Sequence, residues 1–332
     1  MTLRIFVTHN PEDLRAYYGR ALPELHALDV EVVINPTDHD LSTRELIDAA
    51  AGCHVVVAHR ATPGEADLFA ALDDLVAFLR TAVDISTIDV AAATDAGVLV
   101  AHADKSFVPS TAELAVGLLL DAARNIASST EDYRAHREPP QRSGRQIRGM
   151  TAGIVGFGAI GSYLADLLTG MGLDVVVCDP NVADPGGHRT ASFTDLLATS
   201  DVVFPLVAST PETHQLIDAD ALAGMKPGAI LVNVSRGEIV DETAVAAALD
   251  NGTLAAFACD VGTAPDQRPD PDLAARPDVV ATPHLGGLTP ENADAQARSS
   301  VEQIEAILAG RLPPRLANPE ARGRLDAWWA SR

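Results

Sequence analysis

The sequence predicts an α/β fold with two domains built on parallel sheets. Short apolar runs alternate along the chain with longer amphipathic, alanine-rich stretches, and strand-helix alternation is the pattern of a parallel sheet. The short runs are solidly apolar rather than alternating, as strands are when helices cover both faces of their sheet. A length of 332 residues is ample for two cores, at roughly 100–200 residues per domain.

In chain order, the runs that read as strands are 4–7, 30–34, 55–58, 76–79 and 98–101, followed by 153–155, 175–178, 202–206, 230–234, 255–259 and 279–281. Each is rich in Val, Ile, Leu, Phe or Ala and too short for a helix. Helical spacing covers 15–28 and 41–51 between the early strands, then 110–127, 161–171, 193–198, 242–251 and 291–309. Asp241 precedes the helix of 242–251 and suits its N-cap. The segment 131–149 is polar, arginine-rich and carries a Pro pair, so it reads as exposed; 264–277 is Pro-rich and reads as a loop. After Gly310 the tail is irregular apart from a last helical turn, where Trp328 and Trp329 are available to pack on a domain or a partner.

The segment 152–179 holds Gly156-x-Gly158-x-x-Gly161 between an apolar strand and a helix, then a second strand ending in Asp179. Gly156 suits a tight turn, Gly158 lets backbone approach a pyrophosphate, and Gly161 lets helix and strand pack closely. The helix N-terminus presents its positive dipole end to phosphates. Asp179 is placed to accept from ribose hydroxyls and would repel a 2′-phosphate, so NAD is expected rather than NADP.

Four later strands end in polar groups: Ser209-Thr210-Pro211-Glu212-Thr213, Ser235-Arg236-Gly237, Asp260-Val261 and Thr282-Pro283-His284-Leu285-Gly286-Gly287. Ligands in open α/β sheets sit beyond the carboxyl ends of the strands, so these segments read as one lining with the glycine loop. Arg236 offers a planar guanidinium for a carboxylate and a neighbouring carbonyl. His284, set between a proline and two glycines, is the candidate general acid/base.

These motifs resemble the D-isomer-specific 2-hydroxyacid dehydrogenases: G-F-G-A-I-G at 156–161, N-V-S-R-G-E-I-V-D at 233–241, A-C-D-V at 258–261 and T-P-H-L-G-G-L-T at 282–289. The resemblance implies two Rossmann-like domains. A substrate domain is discontinuous, made of 1–104 and the return 288–332, and an NAD-binding domain of 105–287 is inserted in it. It implies hydride transfer between nicotinamide and C2 of a 2-hydroxy or 2-keto acid, with Arg236 polarising and His284 giving or taking the proton. Cofactor contacts are implied at Gly156, Gly158, Ala159, Ile160, Gly161, Asp179, Thr213, Val234, Ser235, Asp260, Gly286 and Gly287. Substrate contacts are implied at Arg60, Val83, Asp84, Lys105 and Arg236, and a homodimer through the nucleotide domain is implied as well.

The chain departs from that pattern in three places. Where the family usually has the glutamate that orients the imidazole stands Pro265; Asp266 is the expected substitute, with Gln267 the second candidate. Ala82 and Asp84 replace two glycines at the substrate carboxylate, and Leu206 and Ala208 replace the usual His and Pro beside the cofactor. The missing glutamate leaves two alternatives: a dinucleotide-responsive binding protein with little turnover, and a formate- or phosphite-type dehydrogenase.

A formal charge of −22 excludes phosphate-backbone binding to nucleic acid and docking on anionic membranes. Three cysteines far apart give no disulfide framework and no zinc spacing, no apolar run spans a bilayer, and the N-terminus lacks a signal peptide's apolar segment, so a cytoplasmic setting is expected. An anionic substrate would depend on local cations, Arg236 first and then Arg60 and Lys105.

Overall fold

A computed structural model describes residues 2–331, with only the backbone of Asp266 among the described atoms. The chain forms two compact units, Met1–Ser106 with Pro290–Arg332, and Phe107–Thr289. Both crossings fall two residues beyond the points drawn from the sequence.

The first unit opens with β1 (Leu3–Val7), α1 (Pro11–Ala16), α2 (Leu22–Ala27), β2 (Val30–Ile34), α3 (Thr43–Ala49), β3 (Val55–Ala58), α4 (Ala66–Ala71), β4 (Ala77–Arg80), α5 (Val90–Asp95) and β5 (Leu99–Ala101). Its sheet is parallel throughout, in the order β2-β1-β3-β4-β5. Ile5, Val7, Val55, Val57 and Leu79 enter one core and Phe6, Val56 and Phe78 the other, which is why the inner positions of these strands are apolar on both faces. The single helix expected over 15–28 is instead three pieces. Asn10 caps α1 by accepting from the backbone N–H of Glu12 and Asp13, a 3-10 turn covers Tyr18–Ala21, and α2 restarts with Pro23 in its first turn. Pro23 has no N–H to continue a ladder, and Gly19 packs so tightly on the Leu14 carbonyl that a side chain there would overlap it. The short helices α4 and α5 carry too few turns to leave a periodic signal.

The second unit contains α6 (Val108–Arg124), α7 (Ile126–Arg134), β6 (Thr151–Val155), α8 (Ala159–Gly170), β7 (Asp174–Cys178), β8 (Arg189–Thr190), α9 (Phe193–Thr199), β9 (Val202–Pro205), α10 (Ala219–Ala223), β10 (Ala229–Asn233), α11 (Glu242–Asp250), β11 (Leu254–Cys259), α12 (Pro271–Ala274) and β12 (Val279–Ala281). All seven strands are parallel, in the order β12-β11-β10-β9-β6-β7-β8. Ile154, Val177 and Val232 face the core shared with α6 and α8, while Val155, Val176 and Leu231 face the core under α9, α10 and α11. Two expectations need correction, and one strand was not expected. The helix drawn over 110–127 ends at Asn125, which is left-handed at φ 55° and starts α7, so part of the polar segment 131–149 is helical. The loop drawn over 264–277 contains a 3-10 turn at Pro265–Gln267 and α12, each with proline in its first turn. The two-residue strand β8 has no sequence signal.

The return to the first unit supplies α13 (Pro290–Leu308) and α14 (Gly323–Ala330). Ser300 of α13 shares a 2.7 Å hydrogen bond with the Tyr18 hydroxyl. Asn318 ties the return to β5: it accepts from Val100 N–H (2.7 Å) and donates to Val98 C=O (3.0 Å) and Thr94 Oγ1 (2.9 Å). Two full turns of α14, rather than one, bury Leu325 and Trp328 against this unit's own sheet, and Trp329 Nε1 donates to Ile307 C=O. No helix among the described residues is long and apolar enough to cross a membrane.

Candidate functional site

The glycine loop follows β6, the first strand of the second unit, at the point where the order reverses between β6 and β9. Gly156 is left-handed at φ 95°, and a Cβ on it would meet the Leu206 carbonyl oxygen at 2.6 Å. A Cβ on Gly161 would overlap the carbonyl of Gly156, so that glycine is required by helix-strand packing. Gly158 differs: nothing of the protein lies within 4 Å of where its Cβ would be. The fold does not need glycine there, whereas a pyrophosphate approaching the backbone does. Ala159 and Ile160 open α8, whose first N–H groups point out of the helix at its positive end. Asp179 closes the loop from the end of β7: Oδ2 accepts from Phe157 N–H and Oδ1 from Asn181 N–H, both at 2.8 Å. Its unused lone pairs fit the hydroxyls of a ribose, and the whole arrangement fits NAD.

The ends of β10, β11 and β12 are joined by one polar network. Asn233, 1% exposed, closes β10: its Oδ1 accepts from Ser235 N–H (3.0 Å) and Ser235 Oγ (2.8 Å), and its Nδ2 donates to Arg236 C=O (2.9 Å). Its own carbonyl accepts from Asp260 N–H at 3.0 Å. Asp260, also 1% exposed, carries three donors on its carboxylate: Thr282 Oγ1 (2.6 Å) and Leu285 N–H (2.7 Å) on Oδ1, and Gly286 N–H (2.7 Å) on Oδ2. Its backbone C=O accepts from His284 N–H at 2.9 Å. His284 stands at φ 61°, a left-handed conformation uncommon outside glycine, and the Asp260 network holds it there. Gly237 packs so closely on Gly262 that the two segments after β10 and β11 are fixed against each other.

Arg236 is therefore carried on a rigid turn with an exposed side chain whose Nη1 donates to Ser235 C=O at 2.8 Å. Three residues expected at the cofactor also make hydrogen bonds within the chain. The Asp260 carboxylate accepts from the His284 segment. The Thr213 hydroxyl donates to Ala208 C=O (2.6 Å) and closes its own loop. The Ser235 hydroxyl is taken by Asn233. Val234 is buried, Gly286 is wedged 3.1 Å from Asp260 Oδ2 measured from where its Cβ would be, and Gly287 is half-buried. The side chain of Asp266 lies outside the described residues. Gln267, left-handed at φ 56°, has a buried Oε1 with no hydrogen-bond partner.

Of the expected substrate residues, all but Arg236 lie in the first unit. Arg60 and Lys105 are exposed, and Val83 is half-buried. Asp84 is exposed, accepts from Ser86 N–H (2.9 Å) and acts electrostatically on Arg80. Arg80 is a buried cation, 1% exposed, whose guanidinium donates to His59 C=O, Thr62 C=O and Thr87 Oγ1. Burial pulls it down to about 10, and the charge of Asp84 opposes that. Sequence reasoning missed Arg80, because it ends an apolar strand, and Asn233, because a buried hub looks like any polar strand end.

Comparison with known proteins agrees with this geometry. Residues 116–286 match the model of the D-isomer specific 2-hydroxyacid dehydrogenase, NAD binding domain. The chain is 39% identical over 279 residues to a D-3-phosphoglycerate dehydrogenase of Mycobacterium leprae, covering 82% of this chain and 53% of that protein, so it spans about half the length of such relatives. It is 32% identical over 277 residues to a hydroxypyruvate reductase of Thermotoga maritima, covering 82% and 89% of the two chains. The crystal structure of the TT0316 protein from Thermus thermophilus superposes with a TM-score of 0.82 at 30% identity, covering 95% of this chain and all of that one. The chain belongs to the D-isomer specific 2-hydroxyacid dehydrogenase family, with its NAD-binding domain in the second unit.

Proposed function

We propose that the protein is an NAD-dependent oxidoreductase that interconverts a 2-hydroxy acid and its 2-keto acid. The observation that carries this reading is the Asn233–Asp260 network, which ties together the ends of β10, β11 and β12, with Arg236 after the first and His284 after the last, in the unit that holds the glycine loop. NAD supplies or accepts the hydride at substrate C2. Arg236 binds the substrate carboxylate and polarises the C2 oxygen with its planar guanidinium. His284 donates a proton to that oxygen in reduction and removes it in oxidation. Asp266 orients the imidazole; Gln267 is the second reading, favoured by its unpartnered Oε1. Arg60 and Lys105 supply positive charge for the rest of an anionic substrate, with Val83 beside it, and Asp84 serves Arg80.

The test follows NADH absorbance with a panel of small 2-keto acids. Turnover with at least one, lost on Arg236→Ala and on His284→Ala while NADH still binds, is the expected result. Tight NADH binding without turnover of any would leave a dinucleotide-responsive binder instead. Asp266→Asn and Gln267→Ala separate the two orienting candidates, since the one in contact with His284 shifts the pH profile of kcat. We also propose a homodimer through the second unit, whose α7 exposes Ile126 (53%) and Tyr133 (68%); sedimentation at monomer mass would reject it.

A further inference from the structure

The first unit has a switch point of its own. In the order β2-β1-β3-β4-β5 the connections reverse between β1 and β3, and ligands of open α/β sheets lie beyond the strand ends at such points. Asp13 follows β1 on α1, Asp40 lies between β2 and α3, and His59 follows β3. One ligand atom from each lies within 4.8 Å of the others. His59 Nδ1 is 3.6 Å from Asp13 Oδ2 and 3.8 Å from Asp40 Oδ1. The side chains of His59 and Asp13 are only 14% and 16% exposed, and Asp13 Oδ2 is buried with no hydrogen-bond partner.

All three atoms are acceptors. The Ala61 N–H points at His59 Nδ1 from 3.4 Å, which marks that nitrogen as the one carrying the lone pair. A second imidazole adjoins the group: His9, 1% exposed, meets the His59 ring edge to face at 5.2 Å. Thr81 Oγ1 gives its only proton to Ala58 C=O, so at 3.2 Å it accepts from His9 Nε2, and His9 Nδ1 is left bare, buried and unpartnered. Asp40 Oδ1 takes a long 3.3 Å hydrogen bond from Asn10 Nδ2, Nδ1 of His59 only the 3.4 Å contact from Ala61, and Asp13 Oδ2 none, so the three converging acceptors favour something electropositive between them. The nearby cations do not supply it by contact. Arg80 is spent on His59 C=O, Thr62 and Thr87, and Arg60 is exposed, with only its field reaching Asp13 and His59, as does that of Glu12 on Asp13.

We propose that Asp13, Asp40 and His59 form a divalent-cation site of the zinc class, with a coordination position left open. A triangle of sides 3.6, 3.8 and at most 4.8 Å has a centre no more than about 2.4 Å from each corner, against about 2.0–2.2 Å for zinc bonded to imidazole or carboxylate. Side-chain shifts of a few tenths of an ångström complete the bonds. A mixed imidazole and carboxylate set selects zinc or manganese over magnesium and calcium, which prefer oxygen alone. The ion would bind α1, the β2–α3 loop and the end of β3 together at the mouth of this sheet.

Zinc chloride, and separately magnesium chloride, would be titrated calorimetrically into the full chain after chelator treatment and dialysis. One zinc per chain, held at least tenfold more tightly than magnesium, is expected. Asp40→Asn and His59→Gln should each weaken zinc at least tenfold with unchanged far-UV circular dichroism, and Asp13→Asn likewise; if that last variant does not fold, the other two decide. His39, paired with Asp38 and Glu45 on the surface, is the rival ligand. The proposal is overturned by the absence of saturable zinc binding, or by zinc that survives Asp40→Asn and His59→Gln and is lost on His39→Gln, an adventitious ion only.

Discussion

Replacing Asp260 with asparagine tests whether the His284 segment is held by a buried carboxylate. The carboxylate accepts on both oxygens, from Thr282 and Leu285 on one and Gly286 on the other. An amide presents oxygen to one side only. With its oxygen toward Thr282 and Leu285, its NH2 faces the Gly286 N–H, donor against donor. A hydrogen bond to a charged group contributes about 1.5–3 kcal/mol, and stranding a buried N–H costs about 1–3 kcal/mol more. Relief of burying a charge offsets part of this, leaving about 3 kcal/mol against local closure. At 1.4 kcal/mol per decade that is roughly a hundredfold. Amide hydrogen exchange over 282–289, measured by mass spectrometry, should quicken by that factor while exchange in β6 and β7 stays as in the wild type. Turnover should fall with it, because His284 loses its fixed backbone. Exchange within threefold of the wild type over 282–289 would refute the reasoning, and faster exchange with unchanged kcat would show that the network supports the fold but not the acid/base.

The glycines of the loop should separate by function. Gly158→Ala should fold with a wild-type melt and lose at least tenfold in NAD affinity by calorimetry, whereas Gly161→Ala should lower the melting temperature of the second unit by overpacking against Gly156, at about 1–3 kcal/mol. Asn318→Ala strips Val100 N–H and Val98 C=O of their partner, and denaturant unfolding should show a loss of about 2–4 kcal/mol confined to the first unit. The first unit should also weaken below neutrality. Burial lowers His9 well below the usual histidine range and also lowers His54 and His59, so below about pH 6.5 the unfolded chain binds more protons than the folded one. Stability is then full above that pH and falls as pH drops toward the folded values, by up to about 1.4 kcal/mol per pH unit for His9 alone. Melts of the first unit from pH 7.5 to 5 that do not decline would contradict this.

How much of the fold could be read from the chain depended on how each element is stabilised. Every strand of four or more residues announced itself, because successive inner positions are apolar on both faces, as Ile154 and Val155 serve opposite cores. The errors fell where local backbone chemistry overrides periodicity. Pro23 and the packed Gly19 cut one long amphipathic stretch into three pieces, and Asn125, left-handed, cut another into two. The helix α12 was hidden because prolines that signal a loop also suit a helix's first turn, with Asp270 capping it.

The two switch points show the same limit in the candidate sites. The nucleotide loop is legible because its parts are contiguous: three glycines within six residues and an acid at the next strand end, all in one βαβ unit. Asp13, Asp40 and His59 are 27 and 19 residues apart and meet only because β1 and β3 lie side by side with β2 outside them. Asp13 reads as a first-turn helix acid and Asp40 as a loop acid. His59 reads as a neighbour of the more conspicuous Arg60. Nothing in their spacing marks a site until the crossover order is known. The same holds for the role of Asp260 as a hub, whose partners Thr282, Leu285 and Gly286 lie more than twenty residues on. In a parallel sheet the residues that meet beyond the strand ends come from separate crossovers. Motif reading therefore finds the groups that one crossover carries alone, and the strand order is needed to find those that several crossovers assemble.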